Sequence, residues 1–373
     1  MLNRTNLISK SKPHFHILDG LRGVAAIIIL IFHYLELVYL DDYETNILGH
    51  GYLAVDFFFC LSGFVVAYAY NHRMKEIGAK NFFINRLIRL HPLVIVGSII
   101  GLIAYLIDPF VTDVWSVGWE KMSISFLGSI FLIPTPILPY RMDALFPFNS
   151  PAWSLFFEYI ISIVYGVVLW KMNKKWLVAS LSVAGAFMIY QAHADGWINS
   201  GWDFPTFTGG FIRVTYSFIA GLVVYKFNLI WKNKLGLFLP LLLLLGCFFY
   251  PHVNNDWITE SIIVMILFPL ILSIGAGAQT NSTLESGCKF LGDLSYPLYM
   301  THISGAFIFL NYIKSKTVSL DDQLFISSIS IMISLVFGFL MMKYVDTPIR
   351  HYLNKKRKEY LMSKEEKEPL VHS

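Results

Sequence analysis

The chain has 373 residues, 55% of them hydrophobic and only 14% charged, where a soluble domain carries about 25% charged residues. That composition excludes a string of soluble domains and indicates an all-α, polytopic transmembrane helical bundle. The net charge of +4 gives no reason to expect a nucleic-acid partner, and its distribution along the chain says more than its size.

Apolar runs long enough to cross a bilayer, about 17–25 residues, are predicted at about ten places: 20–40, 52–70, 91–108, 154–171, 176–192, 208–226, 235–251, 258–277, 296–313 and 324–345. A polar, basic N-terminus (Arg4, Lys10, Lys12) leads into the first run. No small-residue cleavage site follows Ile31, so no removable signal peptide is expected. Within this run Arg22 and His33 share one helical face: eleven steps of about 100° return to within roughly 20°, with about 16 Å between the two along the axis. Ionisable groups at membrane depth are costly and usually face a cavity or a pathway. Asp19 stands three residues before Arg22 and either caps the helix or pairs with it. Glu36 stands three residues after His33 and either orients the imidazole or belongs with Asp41, Asp42 and Glu44 at the membrane interface.

Further along, Asp56 near the start of the second run reads as a cap. Asn85-Arg86-Leu-Ile-Arg89 puts two guanidiniums one helical turn apart, a spacing that can clamp a phosphate or pyrophosphate, or simply anchor the helix in lipid headgroups. The short run 124–138 contains Pro134 and Pro136, with Pro139 just after, and is expected to be re-entrant or interfacial. Pro151-Ala-Trp-Ser154-Leu-Phe-Phe-Glu158 opens the fourth run; Glu158 lies about one turn inside apolar sequence and needs an Arg or His partner. Tyr299 and His302 share a helix face near the end of Leu294-Ser-Tyr-Pro-Leu-Tyr299-Met-Thr-His302. Cys60, Cys247 and Cys288 show neither metal-ligand spacing nor a disulfide framework, and no metal is expected.

With the N-terminus placed in the cytoplasm, all 29 lysines and arginines except Lys121, Arg141, Arg213, Lys314 and Lys316 fall on the cytoplasmic side. This agrees with the positive-inside rule, favours ten spans over eleven, and puts both termini inside. Residues 1–354 are expected to form the transmembrane domain. Residues 355–373 mix Lys and Glu without apolar periodicity and are expected to be a cytoplasmic tail, a frayed helix passing into disorder. No internal repeat, G-x-x-x-x-G-K-[ST] phosphate loop, H-E-x-x-H helix or G-x-S-x-G elbow occurs, which argues against ATP hydrolysis by this chain.

Five segments together resemble membrane acyltransferase family 3: Leu18-Asp-Gly-Leu-Arg22 through His33 (its R-x10-H element), Val55-Asp-Phe-Phe-Phe-Cys-Leu-Ser-Gly-Phe64, Arg86-Leu-Ile-Arg89, Trp153-Ser-Leu-Phe-Phe-Glu158, and Leu294 to His302. They stand in the family's order across nearly the whole chain. The resemblance implies a ten-span bundle in the bacterial inner membrane without the SGNH hydrolase-like domain that some members carry. It implies an acyl-CoA donor, usually acetyl-CoA, and an acceptor hydroxyl on a surface or lipid-linked glycan, with a separate periplasmic transferase as a conceivable partner. On this reading Arg22, Arg86 and Arg89 hold the donor phosphates. His33 is the general base or a transient acyl carrier, and Glu158 orients or charge-stabilises it. Asp19, Ser154, Tyr299 and His302 support donor or acceptor. Intramembrane His, Glu and Arg also mark proton and substrate pathways, so a proton-coupled transporter or flippase is the alternative, and a non-catalytic scaffold of the same fold is a third.

Overall fold

The computed structural model describes residues 14–40, 43–111, 114–139, 141–253 and 255–367. The basic N-terminal residues Arg4, Lys10 and Lys12, the acidic pair Asp41 and Asp42, and the last six residues of the tail lie outside these. The described chain is helical: α1 (His16–Val38), α2 (Ala54–Tyr70), α3 (Met74–Ile107), α4 (Trp119–Phe131), α5 (Ala152–Val167), α6 (Lys174–Asp195), α7 (Phe207–Lys226), α8 (Phe238–Phe248), α9 (Asp256–Ile262), α10 (Phe268–Gly277), α11 (Ser282–Thr301), α12 (Ile303–Ser315), α13 (Leu320–Met341) and α14 (Thr347–Lys367). Helix accounts for 78% of it, and no strand occurs among the described residues.

Among the described residues, seven helices or continuous helical stretches are long and apolar enough to cross a membrane: 16–38, 51–70, 74–107, 174–195, 207–226, 256–277 and 320–363. α5 and α8 are apolar but shorter. Two continuous stretches contain π-helical turns, Ile263–Leu267 and Met342–Asp346. The first ends two residues before Pro269, whose missing N–H releases a helical carbonyl and lets the turn widen.

The predicted run 296–313 is divided. α11 ends at Thr301 and α12 begins at Ile303. Pro297 interrupts the ladder, Thr301 Oγ1 bonds the Pro297 carbonyl, and His302 Nδ1 approaches the carbonyls of Leu298 and Tyr299. Side chains that take over backbone acceptors in this way bend a helix. The run 124–138 becomes the 13-residue α4 followed by irregular chain, starting with Leu132 in a left-handed conformation. The charged tail continues α14 as far as Lys367; Lys, Arg and Glu lose little side-chain freedom in a helix.

In lipid, burying apolar surface between helices gains little, so close packing decides which helices pair. α2 and α7 show this. A Cβ at Gly63 would overlap the carbonyl oxygen of Phe218, and one at Gly221 that of Cys60. These two glycines let the backbones touch, and that contact fixes Asp56 on α2 opposite Arg213 on α7. α1 packs lengthwise on α11 and contributes Ile17, Leu21 and Phe32 to the main core.

Candidate active site

α1 runs unbroken from His16 to Val38, so Arg22 and His33 keep the separation set by eleven helical steps. Each opens onto a different cavity. At the Arg22 end a cavity of about 360 Å³ gathers Arg22, Arg86, Arg89, Lys289 and Arg350 together with Asp19, Glu158, Asp293 and Asp346. At the His33 end a narrower pocket of about 80 Å³ holds His33, Glu36, Tyr52, Trp153, Trp202 and Arg213. Val55 and Tyr299 border both and form the partition between them.

The three arginines expected to act alike are held differently. Arg22 is committed: it pairs with Asp19 at 3.1 Å, donates from Nε to Ser295 Oγ at 3.0 Å, and donates to the Gly292 carbonyl at 2.8 Å. Arg86 is buried and pairs with Glu158, while its Nε has no partner among the described residues. Arg89, one turn further on, opens to the cavity and makes no hydrogen bond or ion pair among the described residues. One cation is therefore fixed to the scaffold, one is half engaged, and one is open.

Glu158 does not reach His33. Its Oε1 accepts from Ser62 Oγ at 2.7 Å and from Arg86. The expectation that Glu158 orients His33 is corrected by this geometry: α5 directs it into the Arg22-end cavity. The carboxylate beside His33 is Glu36, with His33 Nδ1 3.3 Å from Glu36 Oε2. Both are about a quarter exposed, as expected of groups that face a pocket.

His302 stacks on His33, the ring centroids 5.3 Å apart and the planes 24° from parallel. Its Nδ1 lies 3.1 Å and 2.9 Å from the carbonyls of Leu298 and Tyr299. Those acceptors assign the proton to Nδ1, which leaves Nε2 a buried lone pair without a partner among the described residues. Tyr299 and Ser154 lie 2.9 Å apart through their hydroxyls, and Ser154 donates onward to the Pro151 carbonyl at 3.0 Å. The bend at His302 thus positions both Tyr299 and the second imidazole at the partition.

Asp56 and Arg213 form a buried pair that the sequence did not reveal as partners. Arg213 Nη2 lies 2.6 Å from Asp56 Oδ2, and Nε lies 3.2 Å from each carboxylate oxygen. Nη1 donates to the Ser200 carbonyl at 2.8 Å, and the guanidinium stacks 5.1 Å from the Trp153 ring centre. Asp56 makes no side-chain cap; it is the counter-ion of Arg213. Lys289 and Arg350 were also not singled out as cavity residues, although both sit in the basic segments that the charge distribution marks.

The acyltransferase domain family model matches residues 15–344, which covers the residues just described except Asp346 and Arg350. The chain belongs to membrane acyltransferase family 3. This acyltransferase, an integral membrane protein, is 25% identical over 384 aligned residues to a Staphylococcus aureus (strain COL) protein provisionally named an O-acetyltransferase; the match takes in 94% of this chain and 60% of that protein. The Staphylococcus aureus strain MSSA476 counterpart matches at the same identity and coverage. A Rhizobium radiobacter protein known as protein 2 of the picA locus is 32% identical over 196 residues, 50% of this chain and 98% of its own length. The chain therefore spans about three-fifths of the Staphylococcus aureus relatives and nearly all of the Rhizobium one. No solved structure matches it significantly.

Proposed function

We propose that this acyltransferase moves an acyl group, acetyl in the simplest case, from cytoplasmic acyl-CoA to a hydroxyl of a surface or lipid-linked glycan at the bacterial inner membrane. In this reading the ten predicted spans hold, both termini are cytoplasmic, and the Arg22 end faces the cytoplasm. The observation that carries it is the pair of cavities meeting at Val55 and Tyr299: an open cation, Arg89, lies on one side of the partition, and an imidazole with a carboxylate, His33 and Glu36, lies on the other.

The donor's phosphates meet Arg89 and the unpartnered Nε of Arg86, with Lys289 and Arg350 adding positive potential at the mouth. Arg22, held by Asp19 and α11, shapes that mouth. The pantetheine arm runs along α1 toward the partition; about 16 Å from Arg22 to His33 is comparable with its length. His33 takes the proton of the acceptor hydroxyl, the hydroxyl oxygen attacks the thioester carbonyl, the C–S bond breaks, and CoA leaves as a thiol. Glu36, 3.3 Å from Nδ1, orients the imidazole for that step. Tyr299, at the partition, can turn its hydroxyl proton from Ser154 to the developing oxyanion. Trp153 and Trp202 give the outer pocket flat apolar faces suited to a sugar ring.

The experiment is transfer in proteoliposomes with acetyl-CoA labelled in the acetyl group. Label should pass to a glycan acceptor with wild-type protein and fail to pass with His33→Ala. Label retained covalently on wild-type protein but not on His33→Ala would assign His33 the acyl-carrier role. Proton-coupled flux that needs no CoA would replace the enzyme with the transporter alternative.

A further inference from the structure

A second polar cluster lies outside both cavities, where the connection between α1 and α2 meets the connection between α8 and α9. His50 is fully buried. Its Nδ1 sits 2.9 Å from Glu260 Oε1, and its Nε2 is buried with no partner among the described residues. Tyr52 also donates to Glu260 Oε1, and the Ile198 backbone N–H donates to Oε2 at 2.5 Å. Across from His50, His252 Nδ1 pairs with Asp256 Oδ2 at 2.7 Å. The two imidazole centroids are 4.3 Å apart. One nitrogen of each ring and a carboxylate oxygen of Asp256 lie within 4.8 Å of one another.

Charge adds to the geometry. Glu260 is fully buried and Asp256 mostly so, yet no lysine or arginine pairs with either among the described residues. The nearby pair Asp56–Arg213 is internally neutral. Two carboxylates and two histidines in low dielectric leave negative charge to be balanced. A histidine whose Nδ1 is held by a carboxylate, with its other nitrogen bare and aimed into a cluster, has the arrangement of a metal ligand with its orienting outer partner. Gly49 makes the approach possible, because a Cβ there would overlap the His252 ring.

We propose that His50, His252 and Asp256 bind one divalent transition metal, zinc by donor type, with Glu260 positioning His50. Two imidazoles and one carboxylate are a borderline-soft N/O set that suits zinc over magnesium or calcium, and the fourth position is left to water. Ligands around one zinc stand closer than 4.8 Å, so the rings draw together on binding. The metal staples two loops that are distant in sequence. Tyr52, which bonds Glu260 and also lines the His33 pocket, ties the staple to the wall of that pocket. No spacing motif exposes such a site, and the sequence predicted no metal.

The test uses the full chain in detergent or nanodiscs, stripped with chelator and titrated with zinc, with cobalt as the spectroscopic probe. Wild type should bind one metal per chain and show the intense visible absorption of low-coordinate cobalt. His50→Ala and His252→Gln should lose that band. Glu260→Gln should bind about 10- to 100-fold more weakly. His16→Ala, which alters a second His/Asp group at the start of α1, should leave the band intact. Elution volume and helical circular dichroism show whether each variant is folded, and Asp256→Asn serves as a milder variant should His50→Ala aggregate. No stoichiometric metal in wild type, or a band that survives in folded His252→Gln and Asp256→Asn, overturns the proposal.

Discussion

Arg89 and Arg213 are both arginines in membrane helices, and they are used in opposite ways. Arg213 is 2% exposed and spends its donors on Asp56, Ser200 and Tyr52, with Trp153 stacked on its face. Arg89 lies open in a cavity with no hydrogen-bond or ion-pair partner among the described residues. A buried charge that is fully satisfied holds helices in place, while an open charge at membrane depth awaits a ligand. Sequence alone does not tell the two apart; only the accounting of their partners separates scaffold from site.

Breaking the scaffold charge should have the largest effect. Asp56→Asn or Arg213→Gln strands one member of a buried pair and should cost about 3–5 kcal/mol, seen as a lowered unfolding temperature or loss of monodisperse protein. A variant that melts normally yet fails in transfer would move this pair into the reacting machinery and end the contrast. Arg89→Gln should do the reverse. Loss of charge-assisted contacts worth about 1.5–3 kcal/mol should raise the KM for acyl-CoA roughly 10- to 100-fold, with the unfolding temperature and kcat unchanged.

Gly63→Ala, at the α2–α7 contact that holds Asp56 against Arg213, should destabilise by about 1–3 kcal/mol through overpacking, read from thermal unfolding. A silent Gly63→Ala would show that the helices need no such close approach. Tyr299→Phe should have the smallest effect on stability, about 0.5–1.5 kcal/mol for one hydrogen bond to Ser154. Its value is as a probe of the partition: if Tyr299 also donates to the oxyanion, kcat falls while the KM for acyl-CoA holds.

Helical periodicity made much of this molecule legible. The apolar runs become helices, and Arg22 and His33 open onto cavities along one α1 face because α1 has no break. The motif order also pointed to the family. Partners across the bundle were not legible, because membrane pairing depends on close packing rather than on a sequence-local pattern. Glu158 was expected beside His33 and instead meets Arg86; Glu36, equally readable as an interface residue, has that position. Asp56 read as a cap because nothing within its own segment showed that α7 would bring Arg213 against it. The divided run at His302 needed Pro297, Thr301 and His302 to act together on three carbonyls, a local competition that hydropathy averages away.

The central claim is that donor binding and acyl transfer occupy two cavities with one partition. It is tested most directly by measuring CoA affinity and acyl transfer on the same preparations of wild type, His33→Ala and Arg89→Gln. His33→Ala should bind CoA like wild type and lose about 10²- to 10⁴-fold in transfer, the range of a general base; Arg89→Gln should bind CoA weakly and transfer normally once saturated. Affinity and transfer falling together in both variants, or wild-type transfer by His33→Ala, would contradict it.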